Sequence, residues 1–162
     1  MILSSLLLIG CGNMGGALLS RWQKSIAHIH VIEPHALTIN AANVTHSTSL
    51  AAMPADIAPQ VIVLAVKPQQ LAELLPTVRA RFEKQAPIYL SIAAGKPLAF
   101  FAEHLGATAT VVRAMPNTPA MVGDGMTVLC APASVRAEAR EYAETLMRAV
   151  GKTAWVCDES LM

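Results

Sequence analysis

The stretch that most restricts what this chain can fold into is Leu6 to Ser20, LLLIGCGNMGGALLS. An apolar run, Leu6-Leu7-Leu8-Ile9, passes directly into Gly10-Cys11-Gly12-Asn13-Met14-Gly15. Apolar residues then recur at Met14, Leu18 and Trp22, the spacing of one helix face. Three glycines between a buried strand and a helix form the kind of turn on which dinucleotides are held. Gly10 permits the tight turn, Gly12 has no side chain to keep a diphosphate off the backbone, and Gly15 lets the helix pack close to the strand. The helix start adds unpaired N–H groups and a partial positive charge. A second strand follows on schedule, His30-Val31-Ile32 ending in Glu33, an acid placed to accept hydrogen bonds from both hydroxyls of an adenosine ribose.

Composition narrows the classes. With 162 residues the chain has the length of one domain. A net charge of +1 with no basic run gives no reason to expect a nucleic-acid partner. Hydrophobic residues make up 54% of the chain, yet no apolar run approaches the roughly 18 residues of a membrane span. The apolar runs are short, as in Val61 to Val66, which is how strands buried on both faces of a parallel sheet read. The start, Met1-Ile2-Leu3-Ser4-Ser5, lacks the basic segment of a secretion signal, so a cytoplasmic protein is expected. Cys11, Cys130 and Cys157 have no metal-ligand spacing and read as small buried thiols. The histidines are scattered, so no metal is expected.

Taken in order, strands are predicted at 28–33, 61–66, 87–91, 110–113, 127–130 and 153–156, with a brief one at Val44. Helical stretches are predicted over 37–43 and 50–53, the latter capped by the hydroxyls of Ser47 to Ser49. Further helices are expected from Pro68, from Pro97 to Gly106, and from Pro132 or Ser134 to Gly151. Pro76 should kink or split its helix, and Ala114 to Pro119 reads as a loop frozen by two prolines. The alternation gives an α/β fold: Rossmann-like and doubly wound, a mostly parallel sheet with helices on both faces. On such sheets ligands bind beyond the strand C-termini. The Gly10 turn, Glu33, Lys67-Pro68, the Ala93-Gly95 turn and the Asn117 loop should therefore gather along one edge.

Four stretches carry a family resemblance: Ile9 to Gly15, Ala65-Val66-Lys67-Pro68, Ser91 to Gly95, and Arg113-Ala114-Met115-Pro116-Asn117-Thr118-Pro119-Ala120. Together they resemble the pyrroline-5-carboxylate reductases, over essentially the whole chain. The resemblance implies hydride transfer from NAD(P)H to the C=N bond of 1-pyrroline-5-carboxylate, giving L-proline in proline biosynthesis. It implies cofactor contacts at Gly10, Cys11, Gly12, Asn13, Met14 and Gly15, at Ala65, Val66, Lys67 and Pro68, and at Ala93, Ala94 and Gly95. Asn117 would lie near nicotinamide and substrate, and Glu159 near the proline carboxylate and ring nitrogen. It also implies that residues 1–162 are a dinucleotide-binding domain to which the family adds a helical part that dimerises and completes the active site. The full-length protein would be a homodimer or higher homo-oligomer, and the present chain on its own would bind cofactor without appreciable turnover. Where many relatives have a small or basic residue, this chain has Glu33, whose charge would repel a 2′-phosphate and favour NADH over NADPH.

The reaction needs little acid–base help, so no catalytic base is assigned. The Lys67 amine is expected to face water, and Arg113 reads as a strand-end surface charge. Apolar surface is expected around Trp155, Val156, Leu161 and Met162. Two other readings stand beside the reductase: a dehydrogenase of the β-hydroxyacid type, and an NAD(P)-binding module without catalysis.

Overall fold

The layering follows from strand alternation. In a computed structural model, which describes residues 3–162, strand β1 (Ser5–Ile9) buries Leu6 and Leu8 on one side and Leu7 and Ile9 on the other. Met1 and Ile2, part of the start read above, lie outside the described residues. A strand buried on both faces needs cover on both. Helices α1 (Asn13–Trp22) and α4 (Ala137–Arg148) supply it on one side through Leu18, Trp22, Ala143 and Leu146. Helices α2 (Leu71–Phe82) and α3 (Leu98–Leu105) supply it on the other through Leu75, Val78, Phe82 and Phe101.

The remaining strands are β2 (His28–Ile32), β3 (Val44–Ser47), β4 (Val61–Leu64), β5 (Ile88–Ser91), β6 (Thr110–Pro116), β7 (Gly125–Cys130) and β8 (Gly151–Trp155). They form one eight-stranded sheet in the order β3-β2-β1-β4-β5-β6-β7-β8. Strands β1 to β6 are parallel, β7 is antiparallel to β6, and β8 is parallel to β7. The expected Rossmann-like, doubly wound and mostly parallel sheet is borne out. Strand β1 pairs with β2 on one side and β4 on the other, with Leu8 opposite both Val31 and Val63. The winding reverses there, which opens a crevice at the carboxyl ends of β1 and β4.

Several local expectations are corrected. Residues 37–43 are not helical: Leu37, Ile39 and Ala41 pack on the core at alternate positions, the period of extended chain. Residues 50–53 form a turn, because Pro54 disfavours helical backbone at Met53. Pro76 does not split α2; it is exposed, and so is Ala72, whose carbonyl loses its helical donor and faces water. Ala114 to Pro116 extend β6 rather than opening a loop, since β7 pairs with them from Leu129 back to Thr127. Helix α4 begins at Ala137, after a turn in which the Val135 N–H donates to the Pro132 carbonyl. Trp155 and Val156 are half-buried, with the Arg140 guanidinium over the Trp155 ring; the exposed large apolar side chains are Met121, Val122, Met126 and Leu161. Of the three thiols only Cys130 is buried; Cys11 is half-buried and Cys157 exposed.

Two buried polar contacts fix the layers. The Trp22 indole N–H donates to the Leu146 carbonyl at 2.8 Å, tying α1 to α4. His30, buried on β2, has Nδ1 2.7 Å from Thr45 Oγ1 and Nε2 3.0 Å from Ser47 Oγ on β3. Burial, and then the charges of His46 and Arg81, push the His30 pKa below its ordinary value. As pH falls through the ordinary histidine value of about 6.5, the unfolded chain takes up a proton that folded His30 refuses. Stability should therefore fall between pH 7 and pH 5. Urea midpoints across that interval should decline for the parent chain and decline less for His30→Asn. An equal decline in both would assign the pH dependence elsewhere.

Candidate functional site

The glycine turn is built by close approach. Gly10 has φ +92°, and a Cβ there would sit 2.8 Å from the Ala65 carbonyl carbon of the neighbouring strand connection. At Gly15, the third residue of α1, a Cβ would lie 2.5 Å from the Gly10 carbonyl oxygen. At Gly12, by contrast, a Cβ would meet nothing within 4 Å. So Gly10 and Gly15 are glycines because backbone meets backbone, whereas Gly12 borders open space. Gly12 is the N-cap of α1, no side chain caps the helix, and its first turn holds no acidic residue. An uncapped helix start beside open space suits an anion.

Glu33 closes the other side of the crevice. Its Oε2 accepts the Cys11 N–H at 2.8 Å, and its Oε1 lies 2.9 Å from His35 Nδ1 and 3.3 Å from the His35 N–H. Burial pulls the Glu33 pKa up, but the hydrogen bonds from Cys11 and His35 outweigh it and hold the carboxyl below its usual range. It is therefore ionised at neutral pH. A carboxylate has about four acceptor positions, so capacity remains for a ligand hydroxyl. The His35 side chain is 90% exposed, and among the described residues Glu33 is its one hydrogen-bond partner. Burial first, and then Glu33, raise the Cys11 thiol pKa, so this thiol stays protonated within the turn.

Gly10, Gly12, Glu33 and His35 border a cavity of about 740 Å³ at the carboxyl edge of β1, β2 and β4. Of the residues expected to touch cofactor, Gly10, Gly12, Glu33, Ala65, Val66 and Lys67 line it. Lys67 is exposed at its side chain, while its N–H donates to Gln70 Oε1 at 3.2 Å. Cys11, Asn13, Met14, Gly15 and Pro68 lie behind or beside this wall, in the turn, in α1 or after Lys67. Ala93, Ala94, Gly95 and Asn117 follow β5 and β6 at the same edge but do not line the cavity. Asn117 Oδ1 accepts the Met126 N–H at 2.9 Å, which ties its loop to β7. The cavity also takes in Thr48, Ser49, Gln70, Glu73 and Thr77. Thr48 and Ser49 carried a signal in the sequence, as hydroxyls ahead of a turn, and the helix from Pro68 was expected, but not which of its residues face the cavity.

Glu159 and Arg113 meet. Arg113 Nη1 donates to Glu159 Oε2 at 2.9 Å, and the same oxygen accepts the Leu98 N–H at 2.8 Å. Arg113 is 6% exposed, so the surface-charge expectation is overturned: it stands between Ser91 and Cys130 in the sheet and is paired with Glu159. Among the described residues no cluster of histidine, cysteine and acidic side chains could hold a metal ion, and no helix is long and apolar enough to cross a membrane.

An open sheet with its winding reversal at β1 and β4, a glycine turn at that point and an acid after β2 define a Rossmann-type NAD(P)-binding domain. By its match over residues 5–95, more than half of its length, the chain belongs to the family described as NADP oxidoreductase, coenzyme F420-dependent. It is 39% identical over 121 residues to the pyrroline-5-carboxylate reductase of Haemophilus influenzae, covering 75% of this chain and 44% of that one. It is 33% identical over 166 residues to that of Pasteurella multocida, covering 98% and 60%. The solved structure of a pyrroline-5-carboxylate reductase from Coxiella burnetii superposes with a TM-score of 0.83 at 28% identity, over 96% of this chain and 60% of that one. The resemblance read from the four motifs is borne out. The chain spans less than two thirds of the length of these relatives.

The two kinds of glycine make separable predictions. Gly15→Ala should cost about 1–3 kcal/mol of stability, because backbone oxygen must move to admit the methyl group. Gly12→Ala should leave the melting temperature within a degree or two, since a methyl there enters open space. Thermal unfolding of both variants beside the parent checks the contrast.

Proposed function

We propose that this chain is the cofactor-binding part of a pyrroline-5-carboxylate reductase, in which hydride passes from NAD(P)H to the C=N bond of 1-pyrroline-5-carboxylate to give L-proline. The observation that carries the reading is one cavity at the winding reversal, bordered by the open side of Gly12 and by the ionised Glu33. The relatives, all pyrroline-5-carboxylate reductases by name, support the substrate assignment.

The bound nicotinamide supplies the hydride. The chain's own residues bind and orient. The amides at the start of α1 would hold the diphosphate against Gly12, with Asn13 and Met14 presenting theirs and Gly15 setting the helix close. Glu33 would accept from the adenosine ribose. Ala65, Val66, Lys67 and Pro68 would form the floor beside it, and Ala93, Ala94, Gly95 and Asn117 would border the nicotinamide. Glu159 would face the substrate ring nitrogen. Both of its observed contacts use Oε2, and among the described residues Oε1 has no hydrogen-bond partner. A protonated imine is already an acceptor for hydride, so the protein's main work is to hold donor and acceptor about 3–3.5 Å apart. A further, helical part, as the family resemblance implies, would complete the substrate side and join two copies, and the greater length of the relatives leaves room for it.

Glu33 sets the cofactor preference in this reading. Its negative charge repels a 2′-phosphate at close range, while its acceptor capacity suits a 2′-hydroxyl. Titration of this chain should give tighter binding of NADH than of NADPH by about tenfold, and Glu33→Gln should narrow the gap. Tighter NADPH binding by the parent would reverse the assignment. In the same solutions the chain should oxidise bound NADH negligibly when given 1-pyrroline-5-carboxylate. Substantial turnover would show that the substrate side is complete within these residues.

A further inference from the structure

Arg113 lies on β6 between Ser91 of β5 and Cys130 of β7, level with the last residue of β5. Its parity with Val111 places it in the layer of α3. A guanidinium on a side chain only 8% exposed needs a counter-charge, and Glu159 provides it at 2.9 Å. The same Glu159 oxygen accepts the N–H of Leu98, the first residue of α3, from 61 residues away. Helix α3 has Pro97 at its N-cap, which offers no side-chain acceptor, so Glu159 does the work of the missing cap. Two residues, Lys96 and Pro97, separate the turn Ala93-Ala94-Gly95 from Leu98. Its first residue is fixed by β5, where the Ala93 N–H donates to Ser91 Oγ at 3.3 Å, and its far end is fixed only where α3 begins. Gly95, at φ +69°, gives the turn little restraint of its own.

We propose that Arg113 is a positioning residue for the nicotinamide half of the site: through Glu159 it pins the start of α3, and thereby the Ala93–Gly95 turn, at the carboxyl edge of the sheet. The inference rests on the cofactor reading given above. It separates two halves of one ligand. The adenosine half meets Glu33, Gly12 and the β4 connection, none of which touches Arg113. The nicotinamide half meets the turn that Arg113 holds.

The experiment measures dissociation constants of NADH and of ADP for this chain and for Arg113→Met, Arg113→Lys and Glu159→Gln, with amide hydrogen exchange at Leu98 in the absence of nucleotide. Arg113→Met should weaken NADH by about tenfold and ADP by less than twofold, and should speed exchange at Leu98. Arg113→Lys should restore most of the NADH affinity. Glu159→Gln, a milder change at a side chain 31% exposed, keeps an oxygen for the Leu98 N–H but loses the charge; it should fall between the parent and Arg113→Met, and it covers the case in which Arg113→Met fails to fold. Equal weakening of NADH and ADP, or unchanged NADH binding in Arg113→Met or Glu159→Gln, overturns the positioning role and leaves the cofactor reading standing. A folded parent chain that binds neither NADH nor ADP overturns both.

Discussion

The structure depends on one approach that only two glycines allow: α1 begins so close to the end of β1 that a methyl group at Gly15 would strike the Gly10 carbonyl. Move α1 outward by the width of that methyl and three things change together. Trp22, at the far end of the helix, loses its register with the Leu146 carbonyl of α4. The Cys11 N–H moves away from the Glu33 carboxylate on β2. The uncapped amides at the helix start no longer aim into the crevice at the winding reversal. Packing on one side of the sheet and the geometry of the candidate site are thus set by the same contact. Stability and binding are separable here only at Gly12, the one glycine of the three that borders space rather than backbone.

What was legible in the sequence follows from which signals are local. Strand runs such as Leu6 to Ile9 and Val61 to Leu64 announce themselves because burial on both faces leaves no polar position. The glycine turn was legible because strand, glycines and helix are contiguous. Expectations failed where the deciding partner is distant in sequence. Leu37, Thr38, Ile39, Asn40 and Ala41 alternate apolar and polar, a period of two that the helical expectation passed over, and packing of the apolar positions on the core holds the stretch extended. Ala114 to Pro116 read as loop because two prolines lie nearby; β7 arrives from ten residues further on and pairs with them. Arg113 read as a surface charge because the carboxylate that buries it stands at Glu159. A charged residue at the end of an apolar strand has two fates, and only the fold chooses between them.

The same limit applies within the candidate site. Gly10, Gly12 and Glu33 could be placed from spacing alone, and they share one cavity. Gln70, Glu73 and Thr77 of the α2 region could not, since they carry no motif: the helix after β4 was legible, but not which of its residues turn toward the crevice. The half of the site next to β5 and β6 has the reverse character. Its residues sit in recognisable stretches, yet the cavity does not enclose them.

Glu33 and Glu159 have a common logic that accounts for this division. Each is a carboxylate far from its target in sequence, and each accepts the backbone N–H of a residue that opens a turn or helix at the carboxyl edge of the sheet: Cys11 for Glu33, Leu98 for Glu159. Each spends part of its acceptor capacity on structure and has part left over. They differ in what balances the charge. Among the described residues Glu33 has only the exposed His35 as an ion-pair partner, so its charge is held by hydrogen bonds from Cys11 and His35 without a buried cation and is left to act on whatever enters the cavity. Glu159 is neutralised by a buried guanidinium, so its charge is consumed inside the protein. A free negative charge discriminates between ligands by repulsion. A paired one does not repel, and contributes position and a hydrogen-bond acceptor instead. In the proposed reading, the adenosine end of the site would therefore set which cofactor is taken, and the opposite end where its reactive ring is held.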